Sequence, residues 1–378
     1  MIKFASPVLN PKINDYIKEI LESGVFVHGK FSQLFEEKFK DELNYKYVTS
    51  FSSATTGLHL SHYLLGQDLS SDKGEVICPA MSHVATAHSI EIMGLRPVFV
   101  DANIEDGNIS VAGLSSIDLA NVRGMTYVHF NGVAANVKEI NTFCKSNSLY
   151  SVEDCAIALG ASIDSKPVGL WGDFGAFSFH PVKQLTTGEG GMVVSNSEEK
   201  IKKIKKIKAF GVDKEFNQRK VPGVYDVDTV GTNYRLAEIP AAIGLAQLEF
   251  HENHQITRQK NFLSLRDAIK DLNLPISILG NTSSNRSYYN LIILLEDDFK
   301  KDRNDILLSL KEKGLETSVY YPHPIPRLKY YRKKYGYQRS QFPNAEKISD
   351  RSLCLPIGPH LSNGDLDQIV SILKSELI

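Results

Sequence analysis

Apolar positions recur with a helical period at the start of the chain. Ile13, Tyr16, Ile17, Ile20 and Leu21 fall at i, i+3, i+4, i+7 and i+8, which predicts an amphipathic helix ended by Gly24. Phe31, Leu34, Phe35 and Phe39 carry the same period into a second helix. The pattern then changes. Glu75–Cys78, Pro97–Val100, Met125–His129 and Tyr150–Val152 predict strands, with helices over Val84–Met93 and Val137–Cys144 between them. Phe174–Phe179 and Met192–Val194 add two strands around a glycine-rich turn. Strands that alternate with helices predict an α/β domain with a largely parallel sheet.

Further along, a lysine-rich helix over Glu198–Lys208 keeps Ile201, Ile204 and Ile207 as an apolar stripe. Its lysines therefore read as a solvated face and not as a nucleic-acid surface. Asp213–Gly231 reads as an irregular excursion. Leu236–Phe250 predicts a strong helix, with Pro240 near its start, where proline is tolerated. Ile239, Ala242, Ile243, Ala246 and Leu248 are its candidate buried positions. From His251 the pattern gives a helix, a strand at Tyr288–Leu295, a helix at Arg303–Lys313, a strand near Thr317–Tyr320 and two closing helices. The expected organisation is a large α/β domain over residues 1–250 and a smaller α+β domain over residues 251–378.

Composition narrows the function classes. Lys+Arg is 43 and Asp+Glu is 44, a net charge of −1, which makes non-specific nucleic-acid binding a poor fit. No run has the length of a membrane-spanning helix, and the first residues lack the pattern of a signal peptide, so no membrane role is expected. Cys78, Cys144, Cys155 and Cys354 show no C-x-x-C spacing, which fits a reducing, cytoplasmic setting. The histidine pairs His59/His62 and His251/His254 lack an obvious third ligand, so no metal centre is expected.

Three segments carry candidate chemistry. Ser178 to Gly191 places Lys183 five residues after a serine, with Gly188, Gly190 and Gly191 following. A lysine in such a loop can form a Schiff base with a carbonyl. Ser52-Ser-Ala-Thr-Thr-Gly57 follows a strand and opens a helix, which makes an anion site of its N–H groups. Glu153-Asp154 closes a strand, where a carboxylate can pair with a pyridinium nitrogen. Each segment has a plain structural reading: a solvated lysine, an ordinary helix cap, a strand-end aspartate. Together they supply a phosphate cradle, a carboxylate for a ring nitrogen and a lysine for an aldehyde, the three attachment points of pyridoxal 5′-phosphate.

At this point the chain resembles the DegT/StrS family of pyridoxal-phosphate-dependent aminotransferases. The resemblance runs through Ser23–Gly29, Ser53–Leu60, Pro97–Asp101, Val128–Gly132, Glu153–Ala156, the lysine loop, Gly231–Leu236, Ala241–Leu248 and Leu353–Pro356. It implies a fold-type I transferase, with a mostly parallel central sheet in the large domain and a smaller α+β C-terminal domain. It implies that Lys183 holds the cofactor covalently and shuttles the proton, and that Asp154 meets the pyridine nitrogen. Thr55, Thr56 and Ser178 match phosphate ligands. Asn233 matches a residue that reaches the phosphate of the neighbouring subunit's cofactor, which implies a homodimer with shared active sites. His83 stands where the family has an aromatic ring stacked on the cofactor, and Ile157 where it has His or Gln near the 3-hydroxyl. The lysine, present here, is replaced by histidine in related sugar dehydratases.

The family is best known for aminating nucleotide-linked keto-sugars with L-glutamate, and that is the implied activity. Two alternatives stay open: an aminotransferase for a small phosphorylated or other ketone, and a non-catalytic sensor or scaffold. Acceptor contacts are expected from Asp213–Gly231, Tyr320–His323 and Arg235.

Overall fold

The computed structural model describes residues 1–67, 74–214, 219–283 and 286–378. The N-terminal period forms α1 (Lys12–Ser23), which buries Ile13 and Ile20; Gly24 closes it in the left-handed conformation. α2 (Lys30–Glu42) buries Phe31, Phe35 and Phe39. Seven strands then build the central sheet: β1 (Tyr47–Phe51), β2 (Glu75–Pro79), β3 (Arg96–Val100), β4 (Val122–Val128), β5 (Tyr150–Asp154), β8 (Phe174–Ser178) and β9 (Gly191–Ser195). A short ribbon of β6 (Ser162–Ile163) and β7 (Lys166–Pro167) lies between β5 and β8 in sequence. The sheet order is β1-β9-β8-β5-β4-β2-β3, and β9 runs antiparallel to both its neighbours while every other pairing is parallel.

Helices cover both faces. α3 (Ala54–Gln67), α4 (Val84–Glu91) and α6 (Glu198–Ile207) bury Leu58, Leu64, Ala87, Ile90, Ile201 and Ile204 in one core. On the other face lie α5 (Val137–Ser146), α2 and α7 (Glu238–Leu248). A sheet covered on both sides needs apolar residues on both, which is why its strands read as short continuous apolar runs. α2 and α7 approach closely because Gly244 has no side chain: a Cβ there would lie 2.6 Å from the Phe35 ring.

The second core draws on Ile2 and residues 262–377, with Phe262, Leu291, Ile293, Leu310 and Ile369 buried together. Its elements are α8 (His251–Lys270), β10 (Ile276–Ile278), β11 (Leu291–Leu295), α9 (Arg303–Glu312), β12 (Ser352–Leu355) and α12 (Asn363–Leu377), while α10 (Lys329–Tyr335) and α11 (Pro343–Arg351) bury Tyr331, Ala345 and Ile348 in the first core. β10, β11 and β12 form an antiparallel sheet. Among the described residues, no helix is long and apolar enough to cross a membrane.

The differences from the sequence pattern have local causes. β11 begins at Leu291 and not at Tyr288, because Tyr288 sits at φ 50°, outside the extended region. The strand expected near Thr317–Tyr320 reduces to one bridge, Ser318 with Cys354. Pro322, Pro324 and Pro326 follow and deny further ladder donors. Three closing helices form, not two. β5 runs two residues past Val152 because polar Glu153 and Asp154 both find partners. Ile239 and Ile243 are half-buried while Ala241 and Leu245 are buried, so one face of α7 stays partly open. Of the excursion at Asp213–Gly231, residues 215–218 lie outside the described residues; the remainder has an isolated bridge between Val212 and Val227.

Candidate active site

Five parallel strands send their C-terminal ends toward one crevice, the place where open α/β sheets bind ligands. β5 delivers the acidic pair there. Adjacent strand residues point to opposite faces, so Glu153 and Asp154 part company. Glu153 is fully buried and accepts N–H groups from Gly169, Trp171 and Gly172 at 2.6–2.8 Å. His129 Nε2 lies 3.0 Å from it, while His129 Nδ1 accepts the Ala135 N–H. That fixes Nε2 as the proton-bearing nitrogen, donating to Glu153. The ligand atoms of His129, Glu153 and Cys155 lie within 4.8 Å of one another, but His129 and Glu153 are already committed to this hydrogen-bond hub.

Asp154 is 3 % exposed on the crevice side. Thr86 of α4 donates its hydroxyl to one carboxylate oxygen at 2.7 Å, and the Ala156 N–H meets the other at 3.1 Å. Ser82 Oγ lies 2.6 Å from Thr86 Oγ1 and completes a polar chain at the end of β2. His83 caps α4, its Nδ1 accepting from Ala85, and its ring stands edge-on to Tyr321 at 5.6 Å between centroids. Desolvation lowers the His83 pKa, Lys183 lowers it further and Asp154 opposes both. His83, Lys183 and Asp154 thus share one electrostatic environment.

The turn after β8 places Lys183, half-buried, with Nζ 5.4 Å from the centre of the Tyr289 ring. Burial lowers its pKa from 10.5 to about 8, and Asp154 pulls it back up. The amine is therefore held near the point where its nucleophilic, neutral form is abundant at physiological pH. Gln184 turns away from it and donates to the Ile157 carbonyl at 2.9 Å and to Ser287 at 2.7 Å. Ile157 offers its carbonyl here, not its side chain, and that carbonyl also accepts the Ser287 hydroxyl, which ties the lysine loop to Ser287.

The phosphate-cradle candidates gather at the start of α3. Thr56 Oγ1 donates to the Ser53 carbonyl at 2.8 Å, and Ser53 Oγ accepts the Thr56 N–H at 3.2 Å. The N–H groups of the first turn have no partner inside the helix. Ser178 closes β8, paired with Gly191 at the start of β9. Gly191 has to be glycine: a Cβ would lie 2.6 Å from the Ala54 nitrogen. The bare backbone lets Ser178 and the Ser53–Thr56 turn converge. Thr55, Thr56 and Ser178 are half-buried. Asn233 is exposed and bridges to Ala209; its neighbour Tyr234 accepts the Ser52 N–H at 2.9 Å.

A family model described as the DegT/DnrJ/EryC1/StrS aminotransferase family matches residues 7–374. The chain belongs to this family. It is 31 % identical over 380 residues to GDP-perosamine synthase of Vibrio cholerae, covering 99 % of each chain. It is 31 % identical to the UDP-4-amino-4,6-dideoxy-N-acetyl-beta-L-altrosamine transaminase of Helicobacter pylori, covering 98 % of this chain and 97 % of that one. Among solved structures it is similar to Helicobacter pylori PseC, an aminotransferase involved in the biosynthesis of pseudoaminic acid, with a TM-score of 0.92, 28 % identity and coverage of 100 % of this chain and 99 % of that one. This DegT/StrS protein is a transaminase of fold type I that uses pyridoxal 5′-phosphate. The residues present fit that group: Asp154 is a buried carboxylate whose charge acts on the Lys183 amine of lowered pKa, and Gly191 leaves the start of α3 open as an anion cradle.

Tyr321 belongs to the Tyr320–His323 segment expected near the acceptor, whereas Thr86 and Tyr289 were not legible as site residues. Their parts arise from tertiary contact, and no local motif marks them. Arg235 and, from the Asp213–Gly231 excursion, Asp213, Arg219 and Tyr225 line a different groove, about 750 Å³, together with Phe210. Within one chain that groove and the Lys183 crevice have no lining residue in common.

The lowered Lys183 pKa has a stability consequence for this DegT/StrS enzyme without its cofactor. Below pH 8 both folded and unfolded lysines are charged, and the cost of burying the charge is complete. Between 8 and 10.5 the unfolded chain binds the extra proton, so stability rises with pH. Lys183→Met is therefore expected to stabilise the cofactor-free protein by up to about 3 kcal/mol at pH 7. The gain should shrink toward pH 10.5 in urea titrations. A gain that is constant with pH would show that the amine is not desolvated.

Proposed function

We propose that the enzyme moves an amino group from L-glutamate to the ketone of a nucleotide-linked sugar, in amino-sugar and surface-polysaccharide biosynthesis. One observation carries the reading: Lys183, with its lowered pKa, and buried Asp154 share one crevice at the strand ends. The sugar acceptor is supported by the names of the relatives in Vibrio cholerae and Helicobacter pylori and by a 28 % identical spore coat polysaccharide biosynthesis protein of Bacillus subtilis.

The bound cofactor supplies an electron-withdrawing ring that stabilises charge at the reacting carbon. Lys183 would attach it and carry the proton at that carbon. Asp154, oriented by Thr86, would keep the ring nitrogen protonated. Thr55, Thr56 and Ser178 would hold the phosphate, and His83 would cover the ring, backed by Tyr321. Mass spectrometry of products from L-glutamate and a panel of ketones tests the acceptor. Amination of nucleotide-linked keto-sugars is expected; amination of small phosphorylated ketones alone would overturn it.

Residues 1–250 and 251–378 would form the two domains, a division supported by the separate second core. A cytoplasmic location is supported by the four buried free cysteines. A homodimer with shared sites is supported by exposed Val25, Phe26, Val27, Phe210, Val224 and Val230, an apolar set that a second copy would cover. Exposed Asn233 would then reach the partner's phosphate, and Arg235 the partner's acceptor. Mixing Lys183→Ala with Asn233→Ala chains should restore one site per mixed dimer. Mixtures no more active than the separate variants would count against sharing.

A further inference from the structure

A small crevice beside Lys183 is lined by groups whose polar demands the chain does not meet. Asn290 is 2 % exposed, and neither atom of its amide has a partner. Arg258 of α8 is 8 % exposed; its Nη1 donates to the Tyr289 carbonyl at 3.0 Å, and its Nε has no partner. Tyr289 connects the two cations, because Lys183 stands over its ring and Arg258 bonds its carbonyl. No Asp or Glu lines the crevice. A buried guanidinium without a carboxylate is costly unless an anion arrives. Water would satisfy the orphan donors and leave the charge unmatched.

Size and place restrict that anion. The cavity volume, about 30 Å³, admits a carboxylate-sized group and not a sugar. The cofactor phosphate has its own cradle at Ser53–Thr56 and Ser178, none of which lines this crevice. Burial also lowers the Arg258 pKa to about 10, the mark of a cation short of a counter-ion.

The geometry points to this crevice as the subsite for a carboxylate of the amino-acid donor, with Arg258 and Asn290 as its binding residues. The inference rests on the glutamate-dependent reading of the same site. Its test uses the holoenzyme and L-glutamate with no acceptor, following the cofactor's absorbance in the half-reaction. Arg258→Gln is expected to raise the half-saturating glutamate concentration by about 10–100-fold, the range for a lost charged hydrogen bond. The rate at saturation should change by less than about threefold, since uniform binding is what is lost. Glutarate, which has the carboxylates and no amine, should lose affinity in parallel by calorimetry.

Asn290→Asp provides an independent variant of nearly the same shape, which places a carboxylate beside Arg258 where the donor's would sit. It should raise the half-saturating concentration in the same way. An unchanged half-saturating concentration in both variants overturns the assignment. So does a loss confined to the saturated rate. Wild-type enzyme inert toward every α-amino acid overturns both this inference and the reading it rests on. Arg258-dependent use of glutamate by an enzyme that aminates no keto-sugar supports the subsite and overturns the acceptor alone.

Discussion

Lys183→Ala is expected to reduce turnover by at least about 10⁴-fold, the upper range for loss of a positioned acid–base group. Two functions end together: covalent attachment of the cofactor and proton transfer at the substrate carbon. The fold should survive, because removing a desolvated amine relieves a burial cost. Circular dichroism should match the wild type while the glutamate half-reaction disappears. Folded Lys183→Ala protein with a tenth or more of wild-type turnover would remove the lysine from the mechanism.

Asp154→Asn should cost about 10²–10³-fold in kcat, the scale seen when one preorganised electrostatic group is lost. An amide has nearly the carboxylate's shape but cannot hold a positive ring nitrogen. Thr86 can still donate to the amide oxygen. The Ala156 N–H loses its acceptor, a loss of about 1–3 kcal/mol in stability. The discriminating result is the separation: a large fall in kcat beside a small shift in the urea midpoint. Full activity in Asp154→Asn would make the residue a strand-end cap and nothing more.

Much of this site was legible because its pieces are local. Lys183 announces itself by a glycine-rich loop, and the helix start at Ser52–Gly57 by its small hydroxyl residues. The acidic pair is legible as a pair at a strand end, and the family resemblance singles out Asp154; β5 runs through Asp154, past the end of the apolar run at Val152, and strand alternation turns the two carboxylates to opposite faces. Arg258 and Asn290 gave no signal. One lies mid-helix and the other just before β11, and only the folded chain brings both to the crevice beside Lys183. The Tyr320–His323 segment was noticed for its composition, but its aromatic contact with His83 depends on how the chain crosses from β12's edge to β2. Short strands failed where local backbone overruled apolar content, as at Tyr288.

The alternating pattern carried the sheet well for the same reason that it failed at the edges. Strands of a sheet covered on both sides need apolar residues on both faces, so β2, β3, β8 and β9 fall within a residue of their apolar runs. Edge segments answer instead to prolines and to the neighbours they happen to meet.

The central claim is that Lys183 carries the cofactor in the crevice it shares with Asp154. Borohydride reduction of the purified holoenzyme, followed by proteolysis and mass spectrometry, tests it most directly. The account predicts a single reduced adduct on the peptide that contains Lys183. An adduct on Lys166 or Lys200 in its place would contradict it.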